Sequence, residues 1–385
     1  MPPEPVDLTS PLLLERLRRA RTDLGLSQEA VAEHLGMART TLISIESGQR
    51  RLKSEELAAL AELYGERVED LLRSEPAPRP LAAQFRTQAS RLPEEDELRA
   101  ASLLLQRLAE DYVALERLLD APLVGRHPSP LSLGGDLDRR AKIAADEERR
   151  RLGLGDGPLP HVREILEIEV GMRIFAVPLP ARIAGLFAFD PEIGPCVAIN
   201  SDQRWERQRW SLAHEYAHFL TRRDRPEITV SLIHYRRVPA SERFADLFAR
   251  HFLMPAGGLE RSWNSLGDSG TSPTVATLLA QADWWGVSVQ AFALSLEQER
   301  LIRPGTYDRL QAQGLAVDEA RALLDLPEHK PDDQLVGRRM RMLAVSAYAG
   351  GLVTQERLAE ILRMTPDAAR KLATQLLSSL DKDPQ

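Results

Sequence analysis

The chain has 385 residues, of which 43% are apolar and 28% are charged, and a formal net charge of −7 at pH 7. At roughly 100–200 residues per domain, this length predicts more than one domain, and the acidic balance excludes a generic polyanion-binding protein. A single cysteine, Cys196, excludes an internal disulfide and a cysteine-rich zinc site. Without an N-terminal signal pattern or an apolar run of about 18 residues, we expect a cytoplasmic protein with no membrane span.

The first segment, residues 10–72, is predicted to form four or five short helices. Its leucines recur at intervals of three to four residues, as one buried helix face requires. Residues 74–93 follow with four prolines and are predicted to form a linker.

Residues 26–65 (LSQEAVAEHLGMARTTLISIESGQRRLKSEELAALAELYG) resemble the Cro/C1-type helix-turn-helix domain of the XRE family. The resemblance implies a recognition helix from Arg39 to Ser47 that reads base edges in the major groove. Residues that follow this helix are expected to contact phosphates. The expected DNA-contacting residues are Gln28, Arg39, Thr40, Thr41, Ser44, Gln49 and Arg50.

The charge of this segment leaves its partner open. Residues 1–72 contain nine Lys/Arg and thirteen Asp/Glu, a net charge of 9 − 13 = −4. A DNA-binding domain is usually basic, so the alternatives are that the segment binds a protein or dimerises. DNA binding is the favoured hypothesis because the basic residues cluster, as at residues 50–53.

The middle of the chain changes from helical to strand patterns. Amphipathic helices are predicted at 94–120 and 137–152, separated by a Pro/Gly/Ser-rich break. Three short runs rich in Val, Ile and Phe then follow between residues 158 and 200 (MRIFAVPL, GLFAFD and CVAIN), and they predict strands. The last of these strands is expected to pair with an extended substrate by edge addition. From residue 203 onward the patterns are helical again.

Residues 207–220 (RQRWSLAHEYAHFL) place His214, Glu215 and His218 in the pattern H-E-x-x-H. Positions i and i+4 of a helix share one face, so the two imidazoles can bind one zinc ion. Glu215 then lies beside the metal, where it can act as the general base. The surrounding side chains are largely apolar, and two buried histidines without polar partners would be costly. If the third ligand is a glutamate other than Glu215, the resulting set of two histidines and one glutamate favours zinc over manganese.

A second helix pattern at 240–255 offers the remaining groups. A catalytic zinc needs a third protein ligand and an open position. Glu242 is the expected third ligand, and Asp246, four residues later, is expected to accept a hydrogen bond from a ligating histidine. The alternative is that both carboxylates are merely solvated. Tyr235, between the two helices, either stabilises an oxyanion or lies at the surface.

Residues 158–255 resemble the ImmA/IrrE family of metallopeptidases. The resemblance rests on the strand end VAIN, the segment RWERQRW, the helix SLAHEYAHFL and the ending Leu-Met-Pro at 253–255. It implies a minimal thermolysin-like (gluzincin) zinc domain that cuts one regulatory protein. Ala217 and Asp246 stand where family members often have Gly and Asn, and neither change removes a ligand.

The predicted protein is multidomain and mostly α-helical. It has a five-helix N-terminal domain, a central α+β metallopeptidase domain with a small sheet, and a helical C-terminal domain. Within the C-terminal segment, residues 352–377 have a helix-turn-helix sequence pattern. A helical bundle that serves packing or dimerisation is favoured here over a second DNA-binding motif. The expected segments are 1–73 (helix-turn-helix), 74–136 (linker and connecting helix), 137–300 (zinc peptidase) and 301–385 (helical).

Two functions compete at this point. The first is a regulatory zinc metallopeptidase that binds DNA and cleaves a specific regulatory protein, a helix-turn-helix repressor, in a stress or mobile-element response. The alternative is a transcriptional repressor or antitoxin-like regulator whose zinc domain is sensory or structural. In either case a homodimer is favoured, because helix-turn-helix proteins commonly read paired half-sites.

Overall fold

The computed structural model divides the chain into two compact units, Met1–Arg79 and Pro80–Gln385. The residues that it describes are 8, 10–23, 26–64, 68–72, 81–85, 89, 92–123, 127–131, 133, 135–221, 223, 226–230, 239–267 and 274–380.

The first unit is helical. Apolar residues at helical spacing pack into one core, in which Ile45 and Leu42 are almost fully buried. Ser27 caps the second helix by accepting a hydrogen bond from the Ala30 amide. The helices confirm the predicted five-helix fold: α1 (Pro11–Asp23), α2 (Gln28–His34), α3 (Arg39–Glu46), α4 (Ser54–Tyr64) and α5 (Val68–Leu72).

The second unit is built on a small mixed sheet with strand order β1-β3-β2-β4. Strand β1 pairs in parallel with β3, while β2 is antiparallel to both β3 and β4. The strands are β1 (Arg173–Val177), β2 (Ile183–Asp190), β3 (Gly194–Asn200) and β4 (Glu227–Val230). The first three coincide with the predicted runs, whereas the four-residue strand β4 was not predicted.

The strand β3 lies inside the sheet, between β1 and β2. Its backbone hydrogen-bonding groups are therefore used on both sides. The expectation that this strand receives a substrate by edge addition is wrong, because edge addition needs an unpaired strand edge.

Both faces of the sheet are covered, which explains why its strands read as continuous apolar runs. Alternate residues point to opposite faces: Ile174 and Val197 enter one core, and Phe175 and Cys196 enter the other. The first layer contains α8 (Leu137–Arg151), α9 (Val162–Ile165) with a π-helical turn (Leu166–Val170), α10 (Trp205–Thr221), α11 (Ala240–Leu253), α12 (Ala256–Gly267), α13 (Val275–Trp285), α14 (Val289–Gln298), α15 (Thr306–Ala312) and α16 (Val317–Leu323).

The second layer contains helices from both ends of this unit. It consists of α6 (Leu81–Gln84), α7 (Glu95–Leu118), α17 (Arg338–Ala349), α18 (Gln355–Leu362) and α19 (Pro366–Leu380). Residues 74–93 were expected to be a linker, yet Leu81 and Phe85 are buried in this layer. The C-terminal helices were expected to form a separate domain, whereas the structure packs them on the sheet within the same unit.

No helix in the described ranges is both long and apolar enough to cross a membrane.

Candidate metal centre

Helix α10 is fixed at its start by a polar junction with the end of β3. The Gln208 side chain donates hydrogen bonds to the carbonyls of Asn200 (3.1 Å) and Ser201 (3.2 Å). The Asn200 side chain in turn donates to the carbonyls of Leu179 (3.1 Å) and Ile183 (2.9 Å). These hydrogen bonds provide partners for backbone carbonyl groups where the strand ends, and they set the direction in which α10 leaves the sheet.

A second polar contact fixes α10 farther along, against α8. The buried Tyr216 hydroxyl donates to the Glu148 carboxylate, and Arg151 donates to the same hydroxyl at 3.0 Å. Arg151 also forms an ion pair with Glu148 at 2.6 Å. Because Tyr216 lies between His214 and His218 in sequence, this contact restrains the turn that carries both histidines.

The structure brings the side chains of His214, His218 and Glu242 together. One potential ligand atom from each lies within 4.8 Å of the others. The Nε2 atoms of the two histidines are 3.1 Å apart, and the Glu242 carboxylate oxygens lie 3.3 Å from His214 Nε2 and 3.2 Å from His218 Nε2. Helix α10 provides the histidines from successive turns of one face, and helix α11 provides the carboxylate.

The donor set suits a divalent metal such as zinc, which binds nitrogen and oxygen ligands of this kind. Two ring nitrogens and a carboxylate converge on one point, with 3.2 Å between Glu242 Oε1 and His218 Nε2. Burial acts to lower the pKa of His214, but hydrogen bonds with Asp246 and Glu242 outweigh it and raise that pKa to about 10. A histidine binds a metal only in its neutral form, so a bound ion would take the place of the proton on His214 Nε2.

Among the acidic residues of this cluster, Glu242 has the most strongly lowered pKa. Burial acts to raise the pKa of Glu242, yet its hydrogen bonds with His214 and His218 lower it well below the ordinary range. Glu242 is consequently ionised at neutral pH and can serve as an anionic ligand.

Glu215 is fully buried next to the histidines, and its two carboxylate oxygens have no hydrogen-bond partner among the described residues. Burial raises the pKa of Glu215 to about 7, while His214 and Thr229 act in the opposite direction. A group with a pKa near neutrality can both accept and return a proton. Glu215 therefore has the properties of a general acid–base.

Asp246 lies on the outer side of His214. Its Oδ1 atom is 3.0 Å from His214 Nδ1, so this contact leaves Nε2 to face His218 and Glu242. Burial acts to raise the pKa of Asp246, but the hydrogen bond and charge of His214 lower it. An ionised acceptor at Nδ1 fixes the orientation of the ring.

Tyr235, the predicted oxyanion stabiliser, lies outside the described residues. Another histidine of α11, His251, contacts Asp138 of α8 instead, with 3.3 Å between Nε2 and Oδ1.

The predicted DNA-contacting residues surround the exposed side of α3. Arg39, Thr40 and Gln49 are exposed, and Thr41 and Ser44 are half-buried. Gln28 and Arg50 are engaged within the domain: Gln28 donates to Glu46 at 2.8 Å, and Arg50 forms two hydrogen bonds with Glu56. Arg39, Thr40 and Gln49 are therefore the members of the set that are most accessible to DNA.

Gly185 is a contributor to the site that the sequence did not reveal. A Cβ atom at this position would lie 2.6 Å from Glu215 Oε1 and 3.1 Å from the Ala198 carbonyl oxygen. The absence of a side chain is thus a condition for the position of Glu215. An isolated glycine in a predicted strand is a signal of close approach, but it does not name the approaching residue.

Comparison with known families agrees with both parts of the structure. Residues 168–297 match the Peptidase M78 family model, described as an IrrE N-terminal-like domain. Residues 17–71 match a helix-turn-helix model. No curated protein matches the chain. The predicted fusion of an IrrE-like domain with an N-terminal helix-turn-helix domain is confirmed, and it supports a DNA-binding regulator with a peptidase-like domain.

Proposed function

We propose that this protein is a zinc-dependent regulatory peptidase that cleaves a specific regulatory protein. The observation that supports the proposal best is the convergence of His214, His218 and Glu242 with the buried acid Glu215 beside them. Three protein ligands leave one position of a tetrahedral ion open, which distinguishes a catalytic zinc site from a closed structural one.

His214, His218 and Glu242 would hold the zinc. The bound ion would lower the pKa of a coordinated water and polarise the scissile carbonyl. Glu215 would accept the proton of the attacking water and donate it to the departing amine, and its pKa of about 7 suits both steps. Asp246 would hold the His214 ring in the tautomer that presents Nε2 to the metal.

A helix-turn-helix repressor is the proposed substrate, cleaved in a stress or mobile-element response. The resemblance to peptidases that cut one regulatory protein supports this choice. The presence of a helix-turn-helix unit in the same chain supports it independently, because DNA binding places the peptidase near other DNA-bound regulators. A cytoplasmic location follows from the same proposal.

Cleavage is tested with the zinc-loaded full-length protein and purified helix-turn-helix regulators encoded beside its gene. Mass spectrometry of the products should show a single cut in one regulator. The variant E215Q should retain zinc and lose cleavage by a factor of at least about 100, since it removes the proton acceptor. Equal cleavage by E215Q and the wild type would refute the assigned mechanism.

The second candidate is a repressor or antitoxin-like regulator in which the zinc site is sensory or structural. The helix-turn-helix match favours it as much as the first. Stoichiometric zinc together with intact regulators in the same experiment would select this candidate.

DNA binding through α3 is part of both candidates, and a homodimer on paired half-sites is its proposed form. The exposed Arg39 is the side chain most available to a base edge. Selection from a random DNA pool should yield a preferred sequence for the wild type. R39Q should weaken binding to that sequence about tenfold or more, whereas identical selection and affinity in R39Q would exclude Arg39 from base recognition.

A further inference from the structure

A cavity of about 260 Å³ lies in the second unit, and none of the three candidate metal ligands lines it. Its walls come from α9 and the π-helical turn, from the first two turns of α10, and from the segment that leads into α17. This volume is close to the lower end of the range for small-molecule sites.

The lining of this cavity is more basic than the rest of the protein. It includes five cationic side chains and three acidic ones, a formal net charge of 5 − 3 = +2, in a chain whose formal net charge is −7. The cationic residues are Arg163, Arg209, Lys330, Arg338 and Arg341, and the acidic ones are Glu164, Glu167 and Asp332.

Two of the three acids are engaged by groups of the protein itself. Asp332 forms an ion pair with Arg163 at 2.5 Å. Glu167 is buried and accepts a hydrogen bond from the Tyr112 hydroxyl at 2.9 Å. Burial raises the pKa of Glu167, although Arg163, Tyr112 and Arg339 act in the opposite direction. The three acidic side chains therefore do not balance the five cationic side chains of the lining.

Several cations of the lining have no acidic partner in the described part of the chain. Arg341 donates from Nη1 to Gln334 Oε1 at 3.0 Å, while its buried Nε has no partner. Burial and the charges of Arg163 and Arg338 lower the pKa of Arg341, although Asp332 and Glu167 act in the opposite direction. No ion pair of Arg338 or Lys330 occurs in the described ranges. Among the described residues, the positive charges of Arg338 and Arg341 are thus not balanced by ion pairs of their own.

The start of α17 brings further cations to the cavity. Its N-cap is Gly337, and its first turn contains Arg338, Arg339 and Arg341. A helix N-terminus favours negative charge, and here the Glu167 carboxylate lies against it, with 2.5 Å between Oε2 and the position that a Cβ atom at Gly337 would take. Arg339 is neutralised elsewhere by Glu116, with 2.6 Å between their closest atoms. Arg338 and Arg341 remain at the cavity.

We propose that this cavity is a binding site for a small organic or inorganic anion that presents a carboxylate or a phosphate to Arg338 and Arg341. Such an anion would offset the positive charges of these two guanidinium groups and offer them hydrogen-bond acceptors. Gln208 and Leu212 also line the cavity, from the turns of α10 that precede His214. A ligand here would consequently contact the helix that carries the candidate metal ligands.

Isothermal titration of the full-length protein with inorganic phosphate, and separately with succinate, tests this site at constant ionic strength in chloride buffer. We expect saturable binding of at least one probe, and the stronger of the two identifies the favoured anion. R341Q and R338Q should each weaken binding of that probe about tenfold or more, which corresponds to about 1.4 kcal/mol. Arg338 is exposed, so R338Q should fold even if R341Q does not.

The matched control is R370Q, which removes a positive charge from the exposed face of α19, outside the cavity. It should bind the probe as the wild type does. The proposal is overturned if neither probe binds saturably, if R338Q and R341Q both keep the affinity of the wild type, or if R370Q loses as much affinity as they do.

Discussion

Close contact between Glu215 and strand β2 is a defining feature at the scale of single residues. The carboxylate of Glu215 lies where the side chain of any residue other than glycine would project from position 185. Its neighbour in that contact is the backbone carbonyl of Ala198, which cannot move away without disturbing the central strand. The observed position of the Glu215 carboxylate therefore requires a glycine at position 185.

Substitution of Gly185 by alanine should destabilise the second unit. The added methyl group overlaps Glu215 and crowds the Ala198 carbonyl, and such overpacking costs about 1–3 kcal/mol. Urea denaturation measures the loss. The control G157A adds a methyl group where no heavy atom lies within 4 Å, so its free energy of unfolding should change by less than about 0.5 kcal/mol. Equal stabilities of the two variants would argue against the tight contact.

Local spacing in the sequence was sufficient to nominate individual residues on helices. His214 and His218, as well as Glu242 and Asp246, are four residues apart, and helical periodicity alone places each pair on one face. The close approach of Gly185 to Glu215 was not predictable in the same way. It depends on how a strand and a helix from distant parts of the chain meet, and no local pattern encodes that meeting.

Helix packing against the sheet determines the site at the scale of secondary-structure elements. Helix α10 is joined to β3 by Gln208 and to α8 by Tyr216, and α11 packs against both α8 and α10. The contact of α8 with α11 includes a polar cluster in which Asp138 lies beside Arg250 and the buried His251. Arg250 and His251 belong to α11, the helix that carries Glu242, and they link it to α8.

The protonation of His251 should make this helix packing sensitive to acid. Burial and the charge of Arg250 lower the pKa of His251 below its ordinary value of 6.5, although Asp138 acts in the opposite direction. The unfolded chain therefore takes up a proton at a higher pH than the folded one, and stability falls as the pH decreases through about 6.5. We expect the free energy of unfolding to fall more between pH 7.5 and 5.5 in the wild type than in H251Q.

Urea unfolding at the two pH values measures this difference. Contributions of the other titrating groups are shared by both proteins and largely cancel in the comparison. An identical loss of stability in wild type and H251Q would show that His251 does not carry this pH dependence.

Strand prediction succeeded for three of the sheet strands because each is a run of apolar residues buried on both faces. The order of those strands could not be read from the sequence, and the interior position of β3 excluded its expected role. Strand β4 has four residues, Glu227–Val230, and is defined by its pairing with β2. A segment this short has too little periodicity to be recognised alone.

The whole molecule consists of a helix-turn-helix unit and a larger unit in which both ends of the segment 80–385 cover one sheet. The first unit was predictable as a fold because its turns and helix periods are local. The grouping of α6 and α7 with α17–α19 was not, because their apolar faces show only that each helix is buried and not which partner buries it.

Zinc content of the purified full-length protein is the most direct measurement of the central claim, that His214, His218 and Glu242 form a metal site with Glu215 beside it. Mass spectrometry of the metal should find about one zinc per chain in the wild type and in E215Q. H218Q should retain almost none, since loss of one of three ligands leaves two. A metal-free wild type, or full zinc occupancy in H218Q, would contradict the account.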